Sequence, residues 1–142
     1  MKTRTFSFVN VLRKFRHFKL LFIGWSLLVI LAASIPRLPQ PVISISGENI
    51  RLDYAIHFLE FFILSLLFIF LRINNKSKIK PGDIVWYTIG GLSLAFSLEV
   101  YQEIIPGRSF NIMDFISSSI GLITGLLFIF LLKKKRLHDR SE

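Results

Sequence analysis

The stretch Glu99-Val-Tyr-Gln102-Glu103-Ile-Ile-Pro106-Gly107-Arg108-Ser-Phe-Asn-Ile-Met-Asp114 joins two apolar runs, 84–105 and 112–132, and its reading decides the fold. Each run is close to the roughly 20 residues needed to cross about 30 Å of hydrocarbon. Pro106-Gly107 closes one helix and Asn111 or Asp114 opens the next, so the two runs fold back as a helical hairpin. Carboxylates, an amide and a guanidinium are expensive inside the end of a lipid-embedded run. Their concentration here points to a polar site at one membrane face.

Two further apolar runs lie upstream, at 20–35 and 54–73. The first is short, and Phe18 with the aliphatic stem of Lys19 extends it by snorkelling. The 142-residue chain is 52% hydrophobic with 15 Phe, which leaves no room for a separate soluble domain. Backbone in lipid must satisfy its own hydrogen bonds, so the runs are read as helices. The expected fold class is an all-α integral membrane protein, an antiparallel bundle of four transmembrane helices over 20–132. A basic amphipathic segment, 1–19, precedes it and a basic tail, 133–142, follows.

The net charge of +9 invites a nucleic-acid partner, and the positions of the charges argue against one. Of 18 Lys and Arg, fifteen fall before the first helix, between the second and third, or after the fourth. Only Arg37, Arg51 and Arg108 are left for the other side. This bias predicts a multi-pass protein of the cell membrane with both termini and the middle loop cytoplasmic. Contact of these cations with anionic membrane lipids is expected and generic. Lys133-Lys-Lys-Arg136 reads as a stop-transfer anchor. The absence of Cys excludes disulfides, thiol nucleophiles and thiolate metal sites. Ala32-Ala33-Ser34 resembles a cleavage site, but the long basic region before it and Pro36 after it favour an uncleaved first helix.

Residues 6–18 place Phe8, Val11, Leu12, Phe15 and Phe18 at helical spacing, as an interfacial helix would. Pro36, Pro39 and Pro41 predict an extended start to the next loop, where Val42–Ser46 forms a short strand or rests on the interface. Asp83 is a candidate cap for the third helix. Gly90-Gly91 and Gly121-x-x-x-Gly125 permit close helix approach. Packing within the monomer is favoured over a dimer face, and the oligomeric state stays open.

With the termini inside, the start of the second helix and the hairpin turn share the outer face. Asp53, His57 and Glu60 are spaced i, i+4, i+7 and line one stripe; Glu99, Gln102 and Glu103 are spaced i, i+3, i+4 and line another. At 1.5 Å rise, Glu60 and Glu99 each lie about 10 Å inside their helix ends and can meet. With Arg108 and Asp114 above them, these residues form a candidate ligand-binding groove. They include five of the nine acids in the chain. A purely structural network competes with this reading, with Arg108 paired to Asp114 or Glu103 and His57 bridging Glu60 and Glu99. No H-E-x-x-H or G-x-S-x-G motif is present. One histidine among these acids is a thin basis for a metal site, so neither metal nor cofactor is assigned. Ser117-Ser118-Ser119 read as packing and capping residues.

These motifs together resemble the VanZ-like membrane-protein family. Trp25, Ser34, Pro36, Asp53, His57, Phe58 and Phe61 match the first half of its pattern. Glu99, Gln102, Pro106, Gly107, Arg108, Asp114, Gly121 and Gly125 match the second. Tyr54 departs from the family's Lys, and Ser118 from its Asn. The resemblance implies a role in teicoplanin-type glycopeptide or lipoglycopeptide tolerance. The expected function is recognition of a lipid-anchored or lipopeptide ligand at the outer leaflet. A membrane enzyme acting on lipid headgroups or cell-wall precursors is the alternative. A small transporter is the third class, disfavoured because the first helix carries no acid.

Overall fold

The computed structural model describes residues 18–36, 42–45, 48–74 and 79–138. Among them four helices and one hairpin follow in order: α1 Phe18–Ala33, β1 Val42–Ile45, β2 Glu48–Arg51, α2 Leu52–Asn74, α3 Pro81–Gln102 and α4 Ile112–His138. The interfacial helix expected over 6–18 and the extended start of the proline loop fall almost wholly outside the described residues. So does the end of the basic tail.

Each boundary has a local cause. At the end of α1, Ser34 donates both its N–H (3.2 Å) and its hydroxyl (2.8 Å) to the Ile30 carbonyl. Pro36 then biases Ile35 away from helical geometry. The short strand foreseen from Val42 is present and pairs antiparallel with β2, Val42 opposite Arg51 and Ile45 opposite Glu48. Among the described residues this strand pair is the one departure from helical elements, and it hands directly into α2. Asp53 in the first turn of α2 complements the helix dipole.

α3 opens with Pro81 at its first position, where a missing N–H is harmless. Asp83 does not sit in the cap position itself. It lies three residues in and accepts the Lys80 backbone N–H at 3.0 Å, while also pairing with Arg72 at the end of α2. The helix ends at Gln102 rather than Ile105. Beyond it the backbone tightens into i→i−3 bonds from Glu103, Ile104 and Ile105. Gly107 then reverses the chain with φ at 82°, a left-handed conformation that a side chain would resist. Asn111 caps α4, its Oδ1 accepting the Met113 N–H at 3.1 Å.

The tightest packing is between α2 and α4. A Cβ added to Gly121 would collide with the Phe58 backbone, and one at Gly125 would lie 2.6 Å from the Ser65 Cβ and 2.8 Å from the Phe62 carbonyl oxygen. Gly91 on α3 likewise receives the Leu122 side chain. Three of the four glycines expected to pack helices therefore do so inside one chain. Gly90 is the correction: nothing lies within 4 Å of a Cβ built there, because it is one residue, about 100°, round the helix from Gly91. The core between the helices contains Val29, Phe61, Leu64, Ala95, Leu122 and Leu126.

α2 and α3 are long and apolar enough to cross a membrane, over Leu52–Ile73 and Pro81–Gln102. Only 28% and 22% of their most apolar windows are buried, so most of that surface faces outward. Leu20, Leu27, Leu31, Trp86, Ile89 and Leu127 are exposed on the same scaffold. The apolar helical stretches Phe18–Ala33 and Ile112–Phe128 are shorter.

Candidate functional site

A cavity of about 180 Å³ opens between α1, α2, α3 and the turn that follows α3. Its polar lining comes from Asp53, His57 and Glu60 on α2, Glu99 and Gln102 on α3, and Arg108 in the turn. The stripe spacing of α2 and of Glu99 with Gln102 produces this convergence, since residues three and four apart share a helix face. Val29, Ala32 and Ala33 of α1 supply an apolar wall opposite, with small side chains that leave the space open. Ser118, buried on α4, forms part of the lining.

Glu103 does not join them. It is exposed and lies outside the lining. Gln102 and Glu103 fall on opposite flanks of Glu99 at about 100° per residue, and the cavity lies on the Gln102 flank. Asp114 is buried and stands one contact behind the lining, with Oδ2 3.8 Å from His57 Nε2. On its other side, His57 Nδ1 lies 3.6 Å from Glu60 Oε2. The imidazole thus bridges Glu60 and Asp114, not Glu60 and Glu99. Arg108 takes neither of the acid partners considered for it: its Nε donates to the Ile35 carbonyl at 3.3 Å and ties the turn to the end of α1.

Two residues shape the site without lining it through their acid–base chemistry. Trp25 Nε1 donates to the Glu60 backbone carbonyl at 2.9 Å, fixing α1 against α2 beside the cavity. The Asn111 backbone, at the start of α4, acts electrostatically on the Glu99 carboxyl group. Among the described residues, Glu99 Oε2 is buried without a hydrogen-bond partner, and so is Gln102 Nε2. Both side chains are almost wholly buried, at 1% and 2% exposure.

Compared with family models, curated proteins and solved structures, this chain finds no match.

The charges are unbalanced. Glu60 lies within electrostatic reach of Asp53, Glu99 and Arg108, and Glu99 within reach of Asp53, Asp114 and Arg108. Among the described residues, four carboxylates therefore face one guanidinium and one imidazole. Such a site attracts cationic groups and disfavours anions that cannot reach Arg108. Asp53, His57 and Asp114 also bring one ligand-capable atom each within 4.8 Å of one another. Asp114 is the partner that sequence spacing alone did not join to His57.

Proposed function

We propose that this protein spans the membrane four times, with both termini in the cytoplasm, and that its cavity faces the outer leaflet. There it recognises an amine-bearing, lipid-anchored or lipopeptide ligand. Glu99 carries the reading: its buried Oε2 has no partner among the described residues, and it lines a cavity shared with the carboxylates of Asp53 and Glu60. A buried acceptor left unsatisfied costs about 1–3 kcal/mol. A ligand ammonium would satisfy it through a charge-assisted bond.

The remaining groups suit the rest of such a ligand. Gln102 Nε2 is a donor without a partner, ready for a carbonyl or hydroxyl. Among the described residues the Arg108 side chain hydrogen-bonds through Nε alone, to Ile35, which leaves its two η nitrogens to hold a phosphate or carboxylate. Val29, Ile56 and Leu98 offer an apolar side to an acyl chain. The fifteen Lys and Arg that fall in sequence before the first helix, between the second and third, or after the fourth support the orientation. The likeness to VanZ-like proteins supports the ligand class, since their shared Asp53, His57, Glu99, Gln102, Arg108 and Asp114 all belong to this site. On that reading the protein contributes to glycopeptide or lipoglycopeptide tolerance.

Binding of a fluorescent lipoglycopeptide to the chain in nanodiscs tests this directly. Saturable binding is expected, weakened about tenfold or more by Glu99→Gln or Arg108→Ala, as expected for loss of a charge-assisted contact. Binding indifferent to both substitutions would sink the proposal. Teicoplanin susceptibility of a Gram-positive host expressing the wild type or Glu99→Gln reads the same site in cells.

An enzyme acting on lipid headgroups has one observation in its favour. His57 between two carboxylates is an arrangement suited to proton transfer. Product release from a headgroup substrate, lost with His57→Ala, would establish it instead.

A further inference from the structure

We propose that Asp53, His57 and Asp114 bind a divalent transition-metal cation, with Zn²⁺ the best match, in the wall of this cavity. One imidazole nitrogen and one oxygen from each carboxylate already lie within 4.8 Å of one another. Bonds of about 2.0–2.2 Å would draw a tetrahedral set together to roughly 3.3 Å. An imidazole with two carboxylates is a donor set that borderline cations accept, whereas Ca²⁺ and Mg²⁺ prefer oxygen alone.

The surroundings give the cluster the features of a built site. His57 and Asp114 are buried at 8% and 3% exposure. The Glu60 carboxylate, 3.6 Å from Nδ1, is placed to orient the ring and leave Nε2 for the metal, toward Asp114. Asp53 and His57 line the cavity while Asp114 stands behind it, so the coordination position left by three protein ligands opens into the cavity.

A second observation points to a bound group there. Glu99 Oε2 and Gln102 Nε2 are buried, lack partners and line the same cavity. Asp53 and Asp114, two of the three ligands, are the acids that act on Glu99. A water on the open metal position would donate to the Glu99 carboxylate and accept from the Gln102 amide. The cation would also offset the excess of four carboxylates over one guanidinium counted among the described residues. Sequence reasoning places all three at one groove but does not join them as metal ligands, Asp114 being 57 positions from His57 and able to serve as an ordinary helix-start acid.

The metal alone is the probe, so the outcome is independent of whether a lipopeptide binds. The full chain in detergent is stripped with a chelator, desalted and titrated calorimetrically with Zn²⁺ and, separately, Mn²⁺. One equivalent of Zn²⁺ per chain is expected, bound more tightly than Mn²⁺. His57→Gln and Asp114→Asn should each weaken it by more than about tenfold, the scale seen on disturbing metal-site groups. Glu103→Gln, exposed and outside the cavity, should leave it unchanged. No saturable binding to the wild type, or equal binding to His57→Gln, would overturn the assignment. Should those variants fail to fold, X-ray absorption at the zinc edge of the wild type decides. One imidazole in the coordination shell is expected, and none or several would overturn it.

Discussion

His57 Nε2 lies 3.8 Å from Asp114 Oδ2, across the seam between α2 and α4. The same two helices are brought into backbone contact further along by Gly121 and Gly125. The seam is therefore apolar and close along its glycines, and polar where it reaches the cavity. An error in register would separate the imidazole from its acid and bring side-chain-bearing residues, in place of the glycines, against the Phe58 and Phe62 backbone. Packing and site geometry constrain each other.

The two side chains should accordingly be coupled in stability. His57→Gln and Asp114→Asn will each destabilise the chain in detergent, and the double variant will lose less than the sum. A coupling of about 1 kcal/mol is expected for contacting buried groups. Strict additivity in a denaturant-unfolding cycle would show that the contact carries no weight.

Gly121→Ala should lower the thermal unfolding midpoint, because its methyl group meets backbone rather than a side chain that can swing away. Overpacking of this kind costs about 1–3 kcal/mol. Gly90→Ala meets open space and should leave the midpoint unchanged or raise it. Differential scanning fluorimetry on the pair separates packing from helix propensity.

Trp25→Phe keeps an aromatic ring but removes the donor to the Glu60 carbonyl. A loss of about 0.5–1.5 kcal/mol is expected. Because α1 walls the cavity, ligand affinity should fall further than stability does. A titration of the nanodisc-bound variant showing unaltered affinity would place Trp25 among purely structural residues.

Topology can be read with introduced thiols, since the chain has no cysteine. Glu103→Cys, exposed at the cavity end, should react with an impermeant maleimide on intact cells. Gly82→Cys, exposed at the opposite end of α3, should react only after permeabilisation. The reverse pattern would turn the cavity toward the cytoplasm and remove the basis for an outer-leaflet ligand.

Periodicity made much of the site readable before any coordinates. Asp53, His57 and Glu60 share a stripe because helical spacing forces them to, and Glu99 with Gln102 follow the same rule. Glu103 escaped that rule because two flanks of one helix serve different surroundings, and a charge beside the chain reversal turns toward water. The Asn111 cap freed Asp114 from a terminal role, a distinction that the two adjacent candidates could not reveal by type. The second strand, Glu48–Arg51, has one apolar residue in four and so carries no alternating signal. Trp25 and Arg108 act through backbone carbonyls of Glu60 and Ile35, and every residue has a carbonyl, so no sequence pattern singles those partners out.

The glycine seam bears on inheritance as well as packing. Its small-residue face is occupied within one chain, so that face is not available to zip two copies together. Every copy then carries a whole cavity, built from its own four helices. A cell making both an intact and a disabled version should keep activity in proportion to the intact share. Disabled copies would not poison intact ones through this surface, and the protein's output would follow gene dosage.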